Sequence, residues 1–402
     1  MRILLMTDWN PLSGGSEVHA SALRSGFRQA GDDVHLLTSG VSPEARRVAD
    51  DFAWASDSAL GKALLQLGNP FAGAKVRETV RRFRPDVALV NMFALYLSPT
   101  SLTALGAVPW VLMVSDYKLI CPTGAKLLPD ESICERPAGR ACLEEGCLGA
   151  AHWLRDQLRY RLLLRASRRA RQILTCSRSL QRTLRGAGIE SEVETLPIAA
   201  PSHRFRPQPA AEPSFLFVGR LDREKGVDVL LHAFTRLRER VPDARLRIVG
   251  RGPLRPTLEA LADRLNQSSA ISFAGWRDPA GVEEEIASAW AVVVPSRWAE
   301  PFGLVAVEAM VRGVPAIVTD HGGLAETVEH GVSGLHVPHD DVPALAAALE
   351  GVATAATFPA HRLERDVVSR IRAKHDLALH VRRLRERFEG LCPERIDEKS
   401  LS

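Results

Sequence analysis

The chain lacks any apolar run that approaches the roughly 20 residues a membrane-crossing helix needs. Its first residues, MRILLMTD, form a short apolar run that ends in Thr-Asp, without the small-residue cleavage site of a secretory signal. We therefore interpret them as a first β-strand and expect the protein to lie in the cytoplasm.

An excess of one charge sign is also missing. The formal net charge is +4 over 402 residues, which is too small for a general nucleic-acid-binding protein. Hydrophobic residues make up 46% of the chain and charged residues 25%, as in ordinary globular proteins. The length suits two domains, each with its own core.

A Cys-x-x-Cys pair, the commonest zinc-ligand spacing, is absent. Of the six cysteines, four lie in a loop rich in glycine, proline and charge: Cys121, Cys134, Cys142 and Cys147. Their spacing is irregular and includes no Cys-x-x-Cys pair. We predict no metal site and keep a four-thiol zinc site as the alternative. The other interpretation is a packed loop with reduced cysteines as small apolar residues.

The three-glycine dinucleotide fingerprint is missing as well. A first strand leads into a turn-rich loop with Gly14 and Gly15, a helix over 18–29 and a second strand over 34–38. No acidic residue ends that second strand, which weakens a nicotinamide interpretation. Glycines at this turn still let the backbone approach an anion closely.

Short apolar strands alternate with helices along most of the chain, which predicts parallel sheets with helices on both faces. Residues 41–75 look irregular before a basic helix that ends at Phe83. A proline-rich stretch over 199–213 predicts an interdomain linker, and the same alternation restarts after it.

A strongly basic helix is predicted over 152–171, where seven arginines interleave with tryptophan and leucine. It could lie on anionic lipid headgroups, which would place the protein at the inner face of the membrane, or receive an anionic acceptor. The alternative is a solvated arginine face above a core-packed stripe that includes Leu154, Leu158, Leu162 and Leu163.

Polar side chains and glycines follow the predicted strands of the second half. Glu300 lies in the loop after the strand over 291–294, and Glu308 about one turn inside the next helix, with the N–H groups of Gly303 and Leu304 between them. Arg220 and Lys225 could grip a diphosphate. Because parallel strands share one carboxyl edge, we expect a phosphorylated ligand there, bound by Arg220, Lys225, Gly252, Trp276, Glu300 and Glu308.

Ordered motifs cover nearly the whole chain: GGSE at 14–17, GRLDREKG at 219–226, VGRGP at 249–253, EPFGL at 300–304 with Glu308-Ala, GG at 322–323 and SGL at 333–335. With these motifs the chain resembles the retaining glycosyltransferases of the GT-B fold, in family 4. The resemblance implies an α/β protein with two Rossmann-like domains that face each other across a cleft. It implies an N-terminal acceptor-side domain over 1–200, a donor-nucleotide domain over 201–368 and a helical segment over 369–402 that crosses back.

The resemblance also implies a role for each matched residue. Arg220 and Lys225 would neutralise the donor diphosphate, the role a metal often takes elsewhere, and Glu300 would face the donor sugar. Glu308 would accept the ribose hydroxyls. The remaining donor contacts would come from backbone amides at Phe302, Gly303 and Leu304, from Gly14 and Gly15 at the diphosphate, and from Gly252 and Trp276 around the base.

The implied reaction moves a hexose-type sugar from a UDP- or GDP-sugar to a hydroxyl of a glycan or lipid-linked acceptor, in cell-surface polysaccharide or glycolipid synthesis. No further cofactor is required. The motifs do not encode the oligomeric state.

Two positions depart from the family pattern. Ser115-Asp116 stands where relatives with this cysteine-rich loop have His-Asp, and Pro137 replaces the second cysteine of their pair. The histidine normally touches the donor sugar, so its loss keeps open a catalytically weakened sugar-nucleotide-binding or scaffold subunit, with Asp116 as a structural or acceptor-side group. A phosphorylase-like enzyme would need a pyridoxal-phosphate lysine in a suitable context, which we do not find.

Overall fold

A computed structural model describes residues 1–8, 15–41, 43–56, 58–194 and 208–392. The chain forms two compact units. The first comprises Met1–Gly124, Glu135–Pro197 and Leu377–Ser402, and the second comprises Ala125–Cys134 and Ile198–Asp376. The short segment 125–134 therefore groups with the C-terminal half of the sequence.

The first unit is built on a seven-stranded sheet in the order β3-β2-β1-β4-β5-β6-β7, and every described pairing is parallel. Its strands are β1 (Arg2–Thr7), β2 (Asp33–Ser39), β3 (Asp51–Ala53), β4 (Val87–Met92), β5 (Trp110–Val114), β6 (Gln172–Thr175) and β7 (Glu192–Val193). Its helices are α1 (Gly15–Gln29), α2 (Pro43–Val48), α3 (Ala59–Leu65), α4 (Pro70–Phe83), α5 (Ser98–Ala104), α6 (Ala141–Glu144), α7 (Ala150–Ser167), α8 (Arg178–Gly186) and the C-terminal α16 (Leu377–Leu391).

The second unit has a six-stranded parallel sheet in the order β10-β9-β8-β11-β12-β13. Its strands are β8 (Ser214–Val218), β9 (Arg245–Val249), β10 (Ile271–Gly275), β11 (Ala291–Val294), β12 (Ala316–Thr319) and β13 (Gly334–Val337). Its α-helices are α9 (Val227–Arg240), α10 (Arg255–Arg264), α11 (Pro279–Ser288), α12 (Leu304–Met310), α13 (Leu324–Thr327), α14 (Val342–Ala353) and α15 (Arg365–Lys374), with 3-10 turns at Arg223–Lys225 and Pro359–His361. The predicted α/β architecture with two parallel sheets is confirmed.

The local chemistry explains these elements. All four residues of β11, Ala-Val-Val-Val, are buried, as expected where helices cover both faces of a parallel sheet. Asp278 and Asp341 accept N–H groups of the first turns of α11 and α14, each at 2.8 Å, and a proline follows each cap. Such caps satisfy N–H groups that a helix leaves unpaired.

The prediction that 41–75 is irregular was wrong, because the described residues of this stretch include α2, β3, α3 and the start of α4. Its anchor is Asp51, which accepts hydrogen bonds from His35 and Thr79, both at 2.8 Å, and pairs with Arg82. A three-residue edge strand is too short to give the alternating pattern from which strands are predicted.

Most of the predicted linker, residues 199–207, lies outside the described residues. Its end is attached to the second unit, because the N–H groups of Gln208 and Ala210 donate to the carbonyls of Ala287 and Ser288, both at 3.0 Å. The Trp290 indole also donates to the Ala210 carbonyl at 2.8 Å.

Helix α7 contradicts part of the alternative interpretation of the basic helix. Leu154 and Leu158 are 69% and 51% exposed, so they do not belong to a core-packed stripe. At helical spacing they share one exposed stripe with Arg161, Arg165 and Arg168. The buried side chains of this helix include Leu163 and, contrary to its charge, Arg159.

Candidate active site

Glycines pack the loops at the carboxyl edge of the second sheet against one another. A Cβ at Gly226 would overlap the carbonyl oxygen of Pro295, and one at Gly252 would overlap the backbone of Leu221. Leu221 N–H also donates to the Arg251 carbonyl at 2.9 Å. Glycine is therefore required at these two positions by the contact between neighbouring loops. A close approach to a ligand would be a second use of the same glycines.

Lys225 and Glu300 meet at this edge. Lys225 Nζ lies 2.6 Å from Glu300 Oε1, and Ser296 Oγ donates to the same oxygen at 2.7 Å. Glu300 is 8% exposed. Burial alone would raise the pKa of its carboxyl, but the Lys225 ammonium and the hydrogen bonds from Lys225 and Ser296 bring that pKa below its ordinary value. Glu300 is thus held as a carboxylate.

Trp298 supports the lysine from another side. Lys225 Nζ lies 5.0 Å from the centre of the Trp298 ring, within the range of a cation–π contact. Neither Trp298 nor Ser296 was singled out from the sequence. Their position within four residues of Glu300 was the available signal.

The main chain of this loop is fixed by its neighbours. Thr319 Oγ1 donates to the Ser296 carbonyl at 3.0 Å, and Gly323 N–H donates to the Glu300 carbonyl at 2.6 Å. His321 Nε2 lies 2.9 Å from the Trp298 carbonyl, so that nitrogen carries the proton. Burial keeps the pKa of His321 below its usual value, which is consistent with a neutral ring that donates from Nε2.

Arg297 anchors the same loop through carboxylate partners and was not predicted from the sequence. Its guanidinium binds Asp228 through two nitrogens, at 2.7 and 2.6 Å, and its Nε donates to Asp340 at 2.6 Å. Burial alone would lower the pKa of Arg297, but the Asp228 and Asp340 carboxylates raise it above its ordinary value. Arg297 is therefore a permanent cation within this loop.

Arg220 is half exposed and already paired. Its guanidinium lies 2.5 Å from Asp222 and 2.6 Å from Glu224. Burial raises the pKa of Asp222 and the nearby Glu224 adds to that shift, while Arg220 opposes it. Arg220 would have to exchange a carboxylate partner in order to bind a diphosphate.

The start of α12 carries the other predicted acidic group. Gly303 caps the helix with a φ of 88°, a conformation that favours glycine, and a Cβ there would overlap the Leu324 side chain. The Phe302 ring is buried against His375, which leaves its backbone for ligand contact. Burial raises the pKa of the half-buried Glu308, with Arg312 opposing.

Trp276 is an open aromatic surface on the second unit. Its side chain is 49% exposed, and the Arg251 guanidinium carbon lies 5.3 Å from its ring centre. An indole that is half open to solvent and backed by a cation can stack on a planar base.

In the first unit, Ser115 and Asp116 follow β5 and are both half-buried. Asp116 accepts the Lys118 N–H at 2.9 Å and pairs with its ammonium at 3.3 Å. At the end of β1, the buried Asp8 accepts three backbone N–H groups, from Leu95, Tyr96 and Leu97, at 2.6, 3.1 and 2.7 Å. Burial nevertheless raises the pKa of Asp8.

The first unit also contains a buried arginine and the glycine at the start of α1. Arg159 of α7 is 5% exposed and donates to the Ala94 carbonyl at 3.2 Å. Gly15 begins α1, whereas Gly14 lies outside the described residues. Neither Asp8 nor Arg159 was predicted from the sequence as a site residue. A single charged residue after a strand, or one arginine among seven in a basic helix, gives no local signal that it is buried.

The cysteine-rich stretch is divided between the two units. Cys134 belongs to the second, where Lys126 Nζ lies 3.9 Å from its sulfur, and Cys121, Cys142 and Cys147 belong to the first. Across the described ranges, no three His, Cys, Asp or Glu side chains are grouped as metal ligands. The helices described here also include none with the length and apolar character of a membrane span.

Two family models match consecutive parts of the chain. The model described as Glycosyltransferase Family 4 matches residues 13–200, and the model described as Glycosyl transferases group 1 matches residues 201–360. The chain belongs to the family 4 glycosyltransferases of the GT-B fold. The predicted family and fold are confirmed.

Curated relatives agree with this family. The glycogen synthase of Mycobacterium tuberculosis is 28% identical over 398 residues, which span 88% of this chain and 86% of that protein. An uncharacterized glycosyltransferase of Methanocaldococcus jannaschii, MJ1607, is 40% identical over 126 residues, 31% of this chain. That second match spans only 32% of the relative's own length.

Solved structures share the fold of this glycosyltransferase. Sucrose-phosphate synthase from Thermosynechococcus elongatus has a TM-score of 0.74 at 21% identity, over 97% of this chain and 98% of its own. Anabaena HepE, solved in complex with UDP-glucose, has a TM-score of 0.70 at 18% identity, over 97% and 100%.

Proposed function

We propose that this glycosyltransferase moves a hexose-type sugar from a UDP- or GDP-sugar to a hydroxyl acceptor, with retention of anomeric configuration. The acceptor is a glycan or lipid-linked intermediate of cell-surface polysaccharide or glycolipid synthesis. The observation that carries the proposal is the partly buried Lys225–Glu300 pair, at 2.6 Å, with Glu300 on the loop that leads into α12. The UDP-glucose complex of the similarly folded HepE supports a sugar-nucleotide donor.

In this proposal the cations of the second unit stabilise the leaving diphosphate. Lys225 is held in place by Glu300 and acts as a fixed point charge. Arg220 exchanges its partners Asp222 and Glu224 for phosphate oxygens. The guanidinium is itself half exposed, and a doubly charged diphosphate offers it a bidentate partner in place of these carboxylates.

The acidic and backbone groups orient the rest of the donor. Glu300 faces the sugar, and Glu308 accepts the ribose hydroxyls. The first N–H groups of α12, at Gly303 and Leu304, have no acceptor within the helix because of their position, and they donate to sugar hydroxyls together with the Phe302 amide. Gly14, Gly15, Gly252 and Trp276 complete the donor contacts, and Ser115 and Asp116 serve the acceptor side.

A panel of UDP- and GDP-sugars tests this function through nucleotide release and product analysis. Lys225→Ala and Glu308→Ala are each expected to weaken donor binding at least about tenfold, the loss of one charged hydrogen bond. Lys374→Ala and Glu350→Ala, which change the same residue types on α15 and α14, are the matched controls. Absence of binding and turnover with every donor would overturn the proposal.

The exposed stripe of α7 favours an anionic membrane surface as a further partner. Leu154 and Leu158 offer apolar side chains, and Arg161, Arg165 and Arg168 extend the same line with three positive charges and no acidic residue. Apolar side chains enter the headgroup region, while arginines attract anionic lipid. The enzyme would then act at the inner face of the membrane, beside a lipid-linked acceptor.

Vesicle co-sedimentation separates this stripe from other exposed leucines. Leu154→Glu/Leu158→Glu should abolish binding to phosphatidylglycerol vesicles. Leu60→Glu/Leu64→Glu changes an equally spaced pair on α3, 73% and 61% exposed, and should leave that binding intact. Equal loss in both variants, or no binding by the wild type, would rule out the α7 surface.

A further inference from the structure

A hairpin from the N-terminal half of the sequence belongs to the second unit. Residues 125–134 turn back on themselves through an antiparallel bridge between Leu127 and Ile133, and Leu128 N–H donates to the Ser132 carbonyl at 2.9 Å. At its tip, Asp130 accepts both the N–H and the hydroxyl of Ser132, at 3.0 and 2.7 Å. The neighbouring tip residue is Glu131.

The Glu131 carboxylate bridges two loops of the proposed donor site. One oxygen accepts from Arg223 Nε at 3.0 Å, and the other lies 2.9 Å from Arg297 Nε. Arg223 begins the 3-10 turn that ends at Lys225, and Arg297 lies three residues before Glu300. Glu131 therefore connects the loop of the lysine to the loop of the glutamate.

Charge balance does not require this third carboxylate on Arg297. Asp228 and Asp340 already occupy its guanidinium, so removal of Glu131 leaves Arg297 paired. Within the described part of the chain, the ion pair of Arg223 is with Glu131, and Arg223 Nη2 also donates to the Pro129 carbonyl at 2.7 Å. What Glu131 adds is the connection between the two loops.

The backbone at Glu131 is unfavourable for a glutamate. Its φ is 74°, in the left-handed region that glycine adopts without strain. Local stability alone would favour glycine at this tip. The side chain at this position therefore has a use that the turn itself does not explain.

We propose that Glu131 is a positioning residue of the donor site, which holds the Lys225 loop against the Glu300 loop. The inference rests on the proposed function for its effect on donor binding, but its structural part is independent of any ligand. Sequence reasoning treated this region only as a cysteine-rich loop.

Stability and donor binding should separate in the variant Glu131→Gly. Its melting temperature should equal or exceed that of the wild type, because the strain at φ 74° is relieved. Affinity for UDP or GDP, measured by calorimetry on the full chain, should fall about 5- to 30-fold because the two loops are no longer joined. The matched control is Glu145→Gln, which removes a similar exposed pair with Arg136, at 2.6 Å, and should change neither quantity.

Hydrogen exchange tests the connection without any nucleotide. In Glu131→Gly, amides in peptides covering 219–226 and 295–303 should exchange at least about fivefold faster than in the wild type. Arg223→Gln should have the same effect, and the double variant should be no worse than either single one. Unchanged exchange would overturn the inference, as would wild-type affinity in Glu131→Gly. Failure of the wild type to bind any nucleotide would overturn the proposed function alone.

Discussion

The backbone of Gly226, with a φ of 61°, lies so close to the carbonyl oxygen of Pro295 that an added Cβ would overlap it. Gly226 follows Lys225 directly and Pro295 lies five residues before Glu300, so the contact joins the loops that carry these two side chains. No side chain fits between the two backbones.

Gly226→Ala should therefore destabilise the second unit and displace Lys225. A Cβ would clash with backbone and would adopt a left-handed conformation, which together cost about 2–4 kcal/mol in the free energy of unfolding. Urea unfolding measures this change. Gly390→Ala in α16, where a Cβ meets nothing within 4 Å, should be neutral or stabilising by up to about 1 kcal/mol, and an equal loss there would contradict the explanation.

Trp276→Ala should weaken nucleotide binding without unfolding the protein. Stacking of a base on an aromatic side chain is worth about 1–3 kcal/mol, so the dissociation constant for UDP or GDP should rise about 5- to 150-fold. Trp54 is 53% exposed on the first unit, so Trp54→Ala is the matched control. If both variants bind nucleotide like the wild type, Trp276 does not contact the base.

The buried cluster around His19 should make stability depend on pH. Burial and the nearby His380 ring lower the pKa of His19 to about 3, with Asn91 opposing. Below the unfolded pKa of about 6.5, His19 takes up a proton in the unfolded chain but stays neutral in the folded chain. The free energy of unfolding therefore decreases as the pH is lowered. From pH 7.5 to 5.5 the loss from this group is about 1.4 kcal/mol.

Urea unfolding at these two pH values checks the sign. His19→Leu should lose that share of the pH dependence, whereas His152→Leu, which changes an exposed histidine of α7, should keep it. A pH dependence in His19→Leu identical to that of the wild type would exclude His19 as its source.

Ser115→His distinguishes a re-specialised site from a weakened one. If the enzyme is fully active with serine, the introduced imidazole should leave kcat/KM within about threefold. Ser115→Ala separates loss of the hydroxyl from gain of the ring. A gain of about a hundredfold or more in Ser115→His would support the weakened subunit over our proposal.

Local pattern was enough to predict much of the fold. Strand β11 has the bounds expected from the sequence, Ala291–Val294, and helix α4 ends at Phe83 as predicted, because an apolar run and an amphipathic repeat are local signals. The Lys225 and Glu300 side chains do meet, since parallel strands deliver their following loops to one edge. The roles of these residues in donor binding remain predictions.

Other features depend on contacts between distant segments and could not be read locally. Periodicity left two interpretations of α7 open because it could not say which face is buried, and Leu154 and Leu158 proved exposed. The carboxylate partners of Arg297 come from three segments that are far apart in the sequence, and one of them is the hairpin of residues 125–134. Nothing in the residues around Glu131 indicates where that hairpin lies.

The hairpin also constrains how the protein is made. Glu131 leaves the ribosome before Arg223, its partner 92 residues later, and at about 5–20 residues per second that interval is roughly 5–20 s. During this time the tip has no arginines to bind, and the strained turn must persist or re-form. The two loops of the proposed donor site can thus be joined only late in synthesis, when a segment translated early finds its place on a unit translated after it.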